Sequence, residues 1–282
     1  MTYAFFGSSR LSVIVLDEME RLGYLPSFVV TTPDKPQGRK MAVAANVVKA
    51  WASSHGTQSL EFARLDAEAV HSITGRACDL YVVASYGRIM PAALIEAPKF
   101  KTLNVHPSLL PRYRGPSPLP TAILDDAKAT GVTIMRMDEQ VDHGPIVAQR
   151  EISVSEWPIY EDFEELMARA GAELLVDVLP QWLAGEISAR DQDHSRATFT
   201  RKFSKDDGLV DIHDPDQYKV FRTIQAFHQW PQAYFLMKRN GKQLRVKISQ
   251  AAFANGLLEI KRVIPEGSRE MAYRDFLSGY RP

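Results

Sequence analysis

Two kinds of hydrophobic pattern alternate along the first 190 residues. "TYAFFGS", residues 2–8, is a short unbroken apolar run of the kind a strand buried on both faces requires. "RLSVIVLDEMERLGY" then repeats its apolar residues at helical spacing, and "SFVVTT" predicts a second strand. The alternation continues through "SLEFAR", "AEAVHSITGRA", "DLYVVASYG", "PAALIEA" and "TLNVH". Strand, helix and strand in series imply parallel pairing with helices covering the sheet faces. "TGVTIMRMD" and "PIVAQREISV" add two strands separated by a loop, and "YEDFEELMARAGAELLVDVLPQWLAG" predicts a long helix that Pro180 is expected to kink.

From residue 190 the pattern changes. "RDQDHSRATFT" is polar and without period, which predicts a linker between a first domain at 1–190 and a second at 201–282. Beyond it, "PDQYKVFRTIQAFH" predicts a helix. "AYFLMKRNGKQLRVKI" predicts two strands about Asn240-Gly241, because both turn residues tolerate positive φ. The first part therefore reads as α/β and the second as a smaller unit of short strands.

Composition narrows the class. The chain has 282 residues, 45% hydrophobic and 24% charged, enough apolar material for one or two ordinary cores. Cys78 is the one cysteine, so no internal disulfide can form; a reducing compartment and a buried, inert thiol are expected. No cysteine or histidine cluster has metal-ligand spacing, and no metal is expected. The opening residues lack a basic lead and a long apolar run, and no window approaches the roughly 18 apolar residues of a membrane span. A cytoplasmic protein, and a monomer, is the expectation. Trp51, Trp182 and Trp230 are expected to pack rather than to stack on a ligand.

Charge changes the picture more. The formal net charge is zero, yet residues 201–282 hold 15 Lys and Arg against 9 Asp and Glu, net +6, which leaves the rest at −6. Residues 217–262 alone carry nine basic residues and one acid, Glu259, net +8. Basic strands with interspersed aromatics suit a phosphate backbone, with Lys238, Arg239, Lys242, Arg245 and Lys247 on the predicted hairpin. A solvated face is the plainer reading of any one of these cations.

The candidate chemistry begins at "NVHPSLLPRYRGPSP", residues 104–118. Side chains alternate along a strand, so Asn104 and His106 point one way while Leu103 and Val105 point the other. Pro107 stops the strand, and Pro111, Gly115, Pro116 and Pro118 keep the following backbone irregular and ordered. In open parallel sheets ligands bind at that end of the strands. Downstream, "DEQVDHGPIVAQ" places Asp142 in a loop between two strands. Taken singly, His106 reads as a packed core histidine and Asp142-His143-Gly144 as an ordinary turn. Taken together, Asn104, His106 and Asp142 offer an amide donor, an imidazole and a carboxylate, a set suited to formyl or acyl transfer to an amine without a covalent enzyme intermediate.

These residues resemble the folate-dependent formyltransferases. "NVHPSLLPRYRG" is similar to that family's signature and "MDEQVDHGPIVAQ" to the segment holding its aspartate. The resemblance implies a Rossmann-like formyltransferase domain followed by a smaller C-terminal β-barrel domain. It implies 10-formyltetrahydrofolate as co-substrate and Asn104, His106 and Asp142 as the catalytic trio. Ser108, Leu109, Leu110 and Pro111 would line the folate site together with Tyr86 and Ile89 of "ASYGRIM". "TTPDKPQGRKM" looks like the basic loop that the members acting on methionyl-tRNA lay on the acceptor stem, which would place Arg39 and Lys40 at the nucleic acid. "ATFTRKFSKDDGLVDI", "QAFHQWPQAYF" and "PEGSREMAYRDFLSGY" are similar to the C-terminal domain of those members, so initiator methionyl-tRNA is the implied partner. One departure is a shortened stretch between "LRVKISQAAF" and "NGLLEIKRV". A nucleotide-sugar N-formyltransferase, which would use the same trio, and a formyltetrahydrofolate hydrolase remain open alternatives.

Overall fold

The computed structural model describes residues 1–37, 42–239 and 241–279, with the backbone alone at 35–37, 42–44 and 239. The Arg39 and Lys40 expectations, and Asn240 of the predicted turn, lie outside the described residues. The chain divides into two compact units. The first is Met1–Pro116, Ala129–Ser153 and Glu165–Phe199; the second is Ser117–Lys128, Val154–Glu164 and Thr200–Pro282. Neither unit is continuous in sequence, whereas hydrophobic patterning placed a single division at 190–201.

The first unit begins with β1 Tyr3–Phe6, α1 Arg10–Arg21, β2 Phe28–Thr31, β3 Lys35–Gln37, β4 Ala42–Ala44, α2 Val47–Ser54, β5 Gln58–Glu61 and α3 Ala67–Thr74. It continues through β6 Leu80–Val83, α4 Ala92–Ile95 and β7 Thr102–His106. α5 Pro118–Leu124 counts with the second unit; β8 Thr130–Arg136, β9 Ile146–Ile152 and, from Glu165 on, α6 Tyr160–Ala184 return to the first. One seven-stranded sheet runs in the order β5-β2-β1-β6-β7-β8-β9. The first five strands are parallel, as the alternation of patterns predicts. β8 runs antiparallel to both of its neighbours, β7 and β9, and a loop without a helix joins β8 to β9.

Strands β1, β2, β6 and β7 are buried at every residue; β1 and β6 are accordingly unbroken apolar runs, while β2 ends on Thr31 and β7 alternates Thr102, Asn104 and His106 with Leu103 and Val105. On one face Ala4, Phe6, Phe28, Val30, Tyr81 and Val83 form a core with Ile73, Leu94 and Ile95. Burying each large side chain there contributes roughly 1.5–3 kcal/mol. On the other face α6 lies directly on β7: a Cβ added at Gly171 would come within 2.4 Å of the Val105 Cγ1. Val105 is thereby committed to the helix side, and Asn104 and His106 to the opposite side. α6 runs through Pro180 as one 25-residue element.

Strand order fixes where a crevice opens. The chain leaves β1 toward β2 on one side, and β6 lies on the other, so the loops after β1 and β6 part at this switch point. Short polar contacts tie them: the Ser12 hydroxyl donates to the Ala84 carbonyl at 2.6 Å and the Ser8 hydroxyl to the Tyr86 carbonyl at 2.8 Å. Ser9 starts α1 through a reciprocal cap with Ser12.

The second unit adds α7 Gln217–Ala226, β10 Tyr234–Arg239, β11 Lys242–Ala254, β12 Leu257–Pro265, β13 Met271–Ala272 and α8 Tyr273–Gly279. Its four strands pair in sequence order as an antiparallel meander, and Leu209 bridges to Tyr234 at the β10 edge. Phe235, Val246, Ile248, Val263 and Phe276 form its core with Val220 and Ile224 of α7. The shortened stretch has a simple cause: β11 passes into β12 through Asn255 and Gly256, both at positive φ (54° and 78°), so a two-residue turn joins the strands. Trp51 is buried and Trp182 donates its indole N–H to the Phe100 carbonyl at 2.9 Å, as packing residues should. Trp230 departs from that expectation, being 56% exposed in the turn before Pro231.

Candidate active site

β7 delivers Asn104 and His106 to the end of the sheet, both nearly inaccessible at 8% and 4% exposure. The loop between β8 and β9 brings Asp142 to them. Its Oδ1 lies 3.5 Å from the Asn104 Nδ2 and 3.5 Å from the His106 Nδ1, so groups as far as 38 positions apart in sequence meet at one oxygen. These separations exceed an ordinary hydrogen bond, and catalytic contacts of this kind tighten when substrate binds. The other carboxylate oxygen is anchored, accepting the Gly115 backbone N–H at 2.7 Å.

The remaining ring nitrogen of His106 is also engaged. Its Nε2 lies 3.1 Å from the Tyr113 carbonyl, an acceptor only, so Nε2 carries a hydrogen and Nδ1 faces Asp142. Tyr113 can aim that carbonyl because the proline loop is held rigidly from behind. Thr133 on β8 donates its hydroxyl to the Ser108 carbonyl at 2.6 Å and accepts from the Leu110 N–H at 3.1 Å. Gln149 on β9 donates to the Leu110 carbonyl at 2.8 Å.

Asp142 itself adopts a left-handed backbone, φ 49°. For a residue with a side chain that conformation costs about 1–2 kcal/mol, and aspartate tolerates it better than most. Gly144 closes the neck of the loop, where an added Cβ would fall 2.0 Å from the Arg136 carbonyl. His143 points elsewhere: its Nδ1 contacts Asp138 at 2.6 Å and its ring stacks on His194, centroids 4.1 Å apart.

Residues 190–199, expected as a linker, belong to this site. Arg190 pairs with Ile146 as a β-bridge, and the Thr198 hydroxyl accepts the Tyr113 N–H at 2.8 Å. Gln192, 5% exposed, donates to the carbonyls of Asp142 at 3.0 Å and Gly144 at 2.7 Å. Arg114, 3% exposed, donates to the Gln192 Oε1 and to the His194 Nδ1. Burial holds the Arg114 guanidinium below its usual range, against the pull of Asp142 and Asp138.

The family described as formyl transferase matches residues 7–179, a span that contains Asn104, His106 and Asp142. The chain belongs to the formyl transferase family. It is 40% identical to a methionyl-tRNA formyltransferase of Chloroflexus aggregans over 89% of this chain and 81% of that one. A methionyl-tRNA formyltransferase of Halalkalibacterium halodurans is 33% identical over 99% of this chain and 95% of its own length. Among solved structures, an N-formyltransferase of Helicobacter canadensis in complex with folinic acid and dTDP-3-aminofucose has a TM-score of 0.64. It is 17% identical, covering 90% of this chain and 88% of that one, and likeness at that level speaks for the fold.

The other expected site residues of this formyltransferase fall into distinct settings. Ser108 and Leu110 are buried, the Ser108 hydroxyl donating to the Arg112 carbonyl at 2.7 Å; Leu109 and Pro111 are half-buried on the same loop. Tyr86 packs into the sheet core against Phe6, and burial pushes its hydroxyl up to about 12. Ile89 is 85% exposed. In the second unit, register puts Lys238, Arg245 and Lys247 on the face of the β10–β11 hairpin opposite Phe235, Met237 and Val246. Lys238 and Lys242 are exposed. Arg245 is half-buried with its guanidinium 3.5 Å over the centre of the Tyr234 ring, and Lys247 donates to the Gln232 side chain. The Arg239 side chain lies outside the described residues.

Proposed function

We propose that this enzyme transfers the formyl group of 10-formyltetrahydrofolate to the α-amino group of methionine carried on initiator tRNA, the step that prepares the initiator for protein synthesis. The convergence of Asn104 and His106 on one oxygen of Asp142 carries the formyl-transfer part of the reading. The methionyl-tRNA part is supported by the two relatives of that name, whose similarity extends over 89% and 99% of the chain and so reaches into the basic second unit.

The amine attacks the formyl carbon, a new C–N bond forms and the carbonyl oxygen takes the electron pair. The Asn104 amide N–H stabilises that oxyanion. His106 Nδ1 is the ring atom left for the reaction, since Nε2 is spent on Tyr113. The ammonium first gives one proton to solvent to become the nucleophilic amine; as its nitrogen bonds to carbon it sheds a second, which the relay of Asp142 with His106 Nδ1 accepts. Collapse returns the carbonyl, breaks the bond to the folate nitrogen and delivers a proton to that nitrogen. In sum one proton moves from the amine to the departing folate. Fixing Asp142 through Gly115 pre-organises the relay, so that little reorganisation is left to the transition state.

Ser108, Leu109, Leu110 and Pro111 form the ordered wall of the folate site in this reading, with Tyr86 and Ile89 flanking it. Lys238, Lys242, Arg245 and Lys247, with Arg39, Lys40 and Arg239, provide charge for the tRNA backbone. No metal is required; the enzyme acts as a cytoplasmic monomer. Among the described residues no helix is long and apolar enough to cross a membrane.

The test is a formyl-transfer assay with 10-formyltetrahydrofolate, offering initiator methionyl-tRNA, elongator methionyl-tRNA and an amino-sugar nucleotide separately. Formyl-methionine on the initiator alone is the expected result. A formylated sugar would keep the chemistry and overturn the acceptor; formate released with no acceptor would make the protein a hydrolase.

A further inference from the structure

Gln192 sits where nothing in the reaction touches it, yet all four of its amide hydrogen-bonding positions are used. Both hydrogens go to backbone carbonyls on either side of His143, that of Asp142 at 3.0 Å and that of Gly144 at 2.7 Å. Both oxygen lone pairs take N–H groups of Arg114, at 3.1 Å from Nε and 2.6 Å from Nη2. The amide orientation is not free to invert. Arginine has donors only, so the oxygen must face Arg114 and the NH2 must face the carbonyls. Arg114 is in turn fixed by its backbone N–H on the Thr198 carbonyl at 2.9 Å.

We infer that Gln192 is a positioning residue for formyl transfer: its amide holds the Asp142 loop so that the carboxylate stays between Asn104 and His106. The inference rests on the proposed role of Asp142. Two features give it direction. Asp142 occupies a left-handed conformation that is strained even for aspartate, one of the more tolerant residue types, and contacts from outside the loop help to hold it there. Gln192 grips the backbone at Asp142 and again two residues on, on both sides of the peptide that the strain must pass through.

The same geometry distinguishes positioning from mere packing. In Gln192→Glu the shape is kept and Arg114 gains a carboxylate partner, which favours the fold. The carboxylate then presents an oxygen to two carbonyl oxygens, and the Asp142 loop is released. In stability the gain at Arg114 offsets the loss at the two carbonyls, whereas the catalytic support is only lost. A buried residue important only for folding would move both together.

The experiment measures kcat, KM for each substrate and Tm for wild type and Q192E in the formyl-transfer assay. The expected result is a kcat lower on the order of 100-fold, the loss that misplacement of a reacting group by about 1 Å brings, with both KM values and Tm close to wild type. Wild-type kcat in folded Q192E would overturn the inference, and so would a kcat loss that merely tracks a fall in Tm. Should Q192E not fold, Gln192→Asn keeps the amide but withdraws it by one methylene, and the same split between kcat and KM applies. Acceptor choice is a separate matter: if wild type formylates a different amine, the comparison is run on that amine. A long-range proton–nitrogen spectrum of the His106 ring gives a readout that needs no acceptor. In Q192N the Nδ1 signal is expected to move, and an unchanged His106 ring would count against the inference.

Discussion

Arg114 and Lys238 are both cations, and the protein treats them in opposite ways. Arg114 is buried with its donors assigned to Gln192, His194 and Thr198, in a unit whose proline loop is pinned by Thr133 and Gln149. Lys238 stands exposed on a hairpin whose register turns it away from the core. A buried charge is tolerable only with partners in place, so it fixes geometry; an exposed charge supplies attraction and leaves geometry open. Chemistry on a formyl group needs the first kind and holding a phosphate backbone needs the second. Arg245 lies between them, its guanidinium stacked on Tyr234.

The comparison can be broken or sharpened at four points. The largest effect belongs to His106→Ala, which removes the imidazole of the proposed relay; turnover should fall by about 10²–10⁴-fold while folate affinity, read by equilibrium binding, changes little. Turnover within a few-fold of wild type would remove His106 from the chemistry. Next comes Gly144→Ala. Its Cβ meets the Arg136 carbonyl, so urea unfolding should report a loss of about 1–3 kcal/mol, and the Asp142 loop should be disturbed with it. An unchanged unfolding midpoint would mean that the loop neck can open freely.

On the exposed side the effects are smaller and of another kind. Replacing Lys238 and Lys242 together by alanine should raise KM for tRNA several-fold and leave kcat in place. The dependence of log affinity on log salt should flatten by about 0.7–0.9 for each phosphate that the variant no longer neutralises. An identical salt slope in the double variant would take the hairpin out of the tRNA surface. The smallest effect concerns pH. Lys128, then the Trp157 indole and the Tyr218 hydroxyl, hold Asp126 down at about 2. Its contribution to stability is complete above the ordinary aspartate range near pH 4, and is lost as pH falls through about 2. Asp126→Asn should therefore narrow the difference in Tm between neutral pH and pH 2; an equal difference in both proteins would contradict this.

Much of this was legible in the sequence because burial writes itself as period. Strands buried on both faces favour apolar runs, and β1 and β6 are such runs, with β2 apolar as far as Thr31; β7 departs from them by burying Asn104 and His106. The placing of Asn104 and His106 on one side of β7 followed from alternation alone. Gln192 and Thr198 were invisible by the same logic. Their stretch has no period because its order comes from side chains bonding to a loop far upstream, with separations of 78 between Arg114 and Gln192 and 85 between Tyr113 and Thr198. Polar residues without period read as a linker whether they face water or a buried arginine. The Asn255-Gly256 pair of the observed turn stands in the sequence as plainly as the Asn240-Gly241 pair from which a turn is predicted. It went unread because the segment resembled a longer one with a piece missing.

The account stands most directly on Asp142. Single-turnover formyl transfer to initiator methionyl-tRNA, measured in wild type and in Asp142→Asn with both substrates saturating, isolates the carboxylate from binding. The account predicts rapid transfer in wild type and a rate about 10²–10⁴-fold lower in the variant, with the affinity for each substrate little changed. Equal rates in the two proteins, or no transfer to the initiator by wild type, would contradict it.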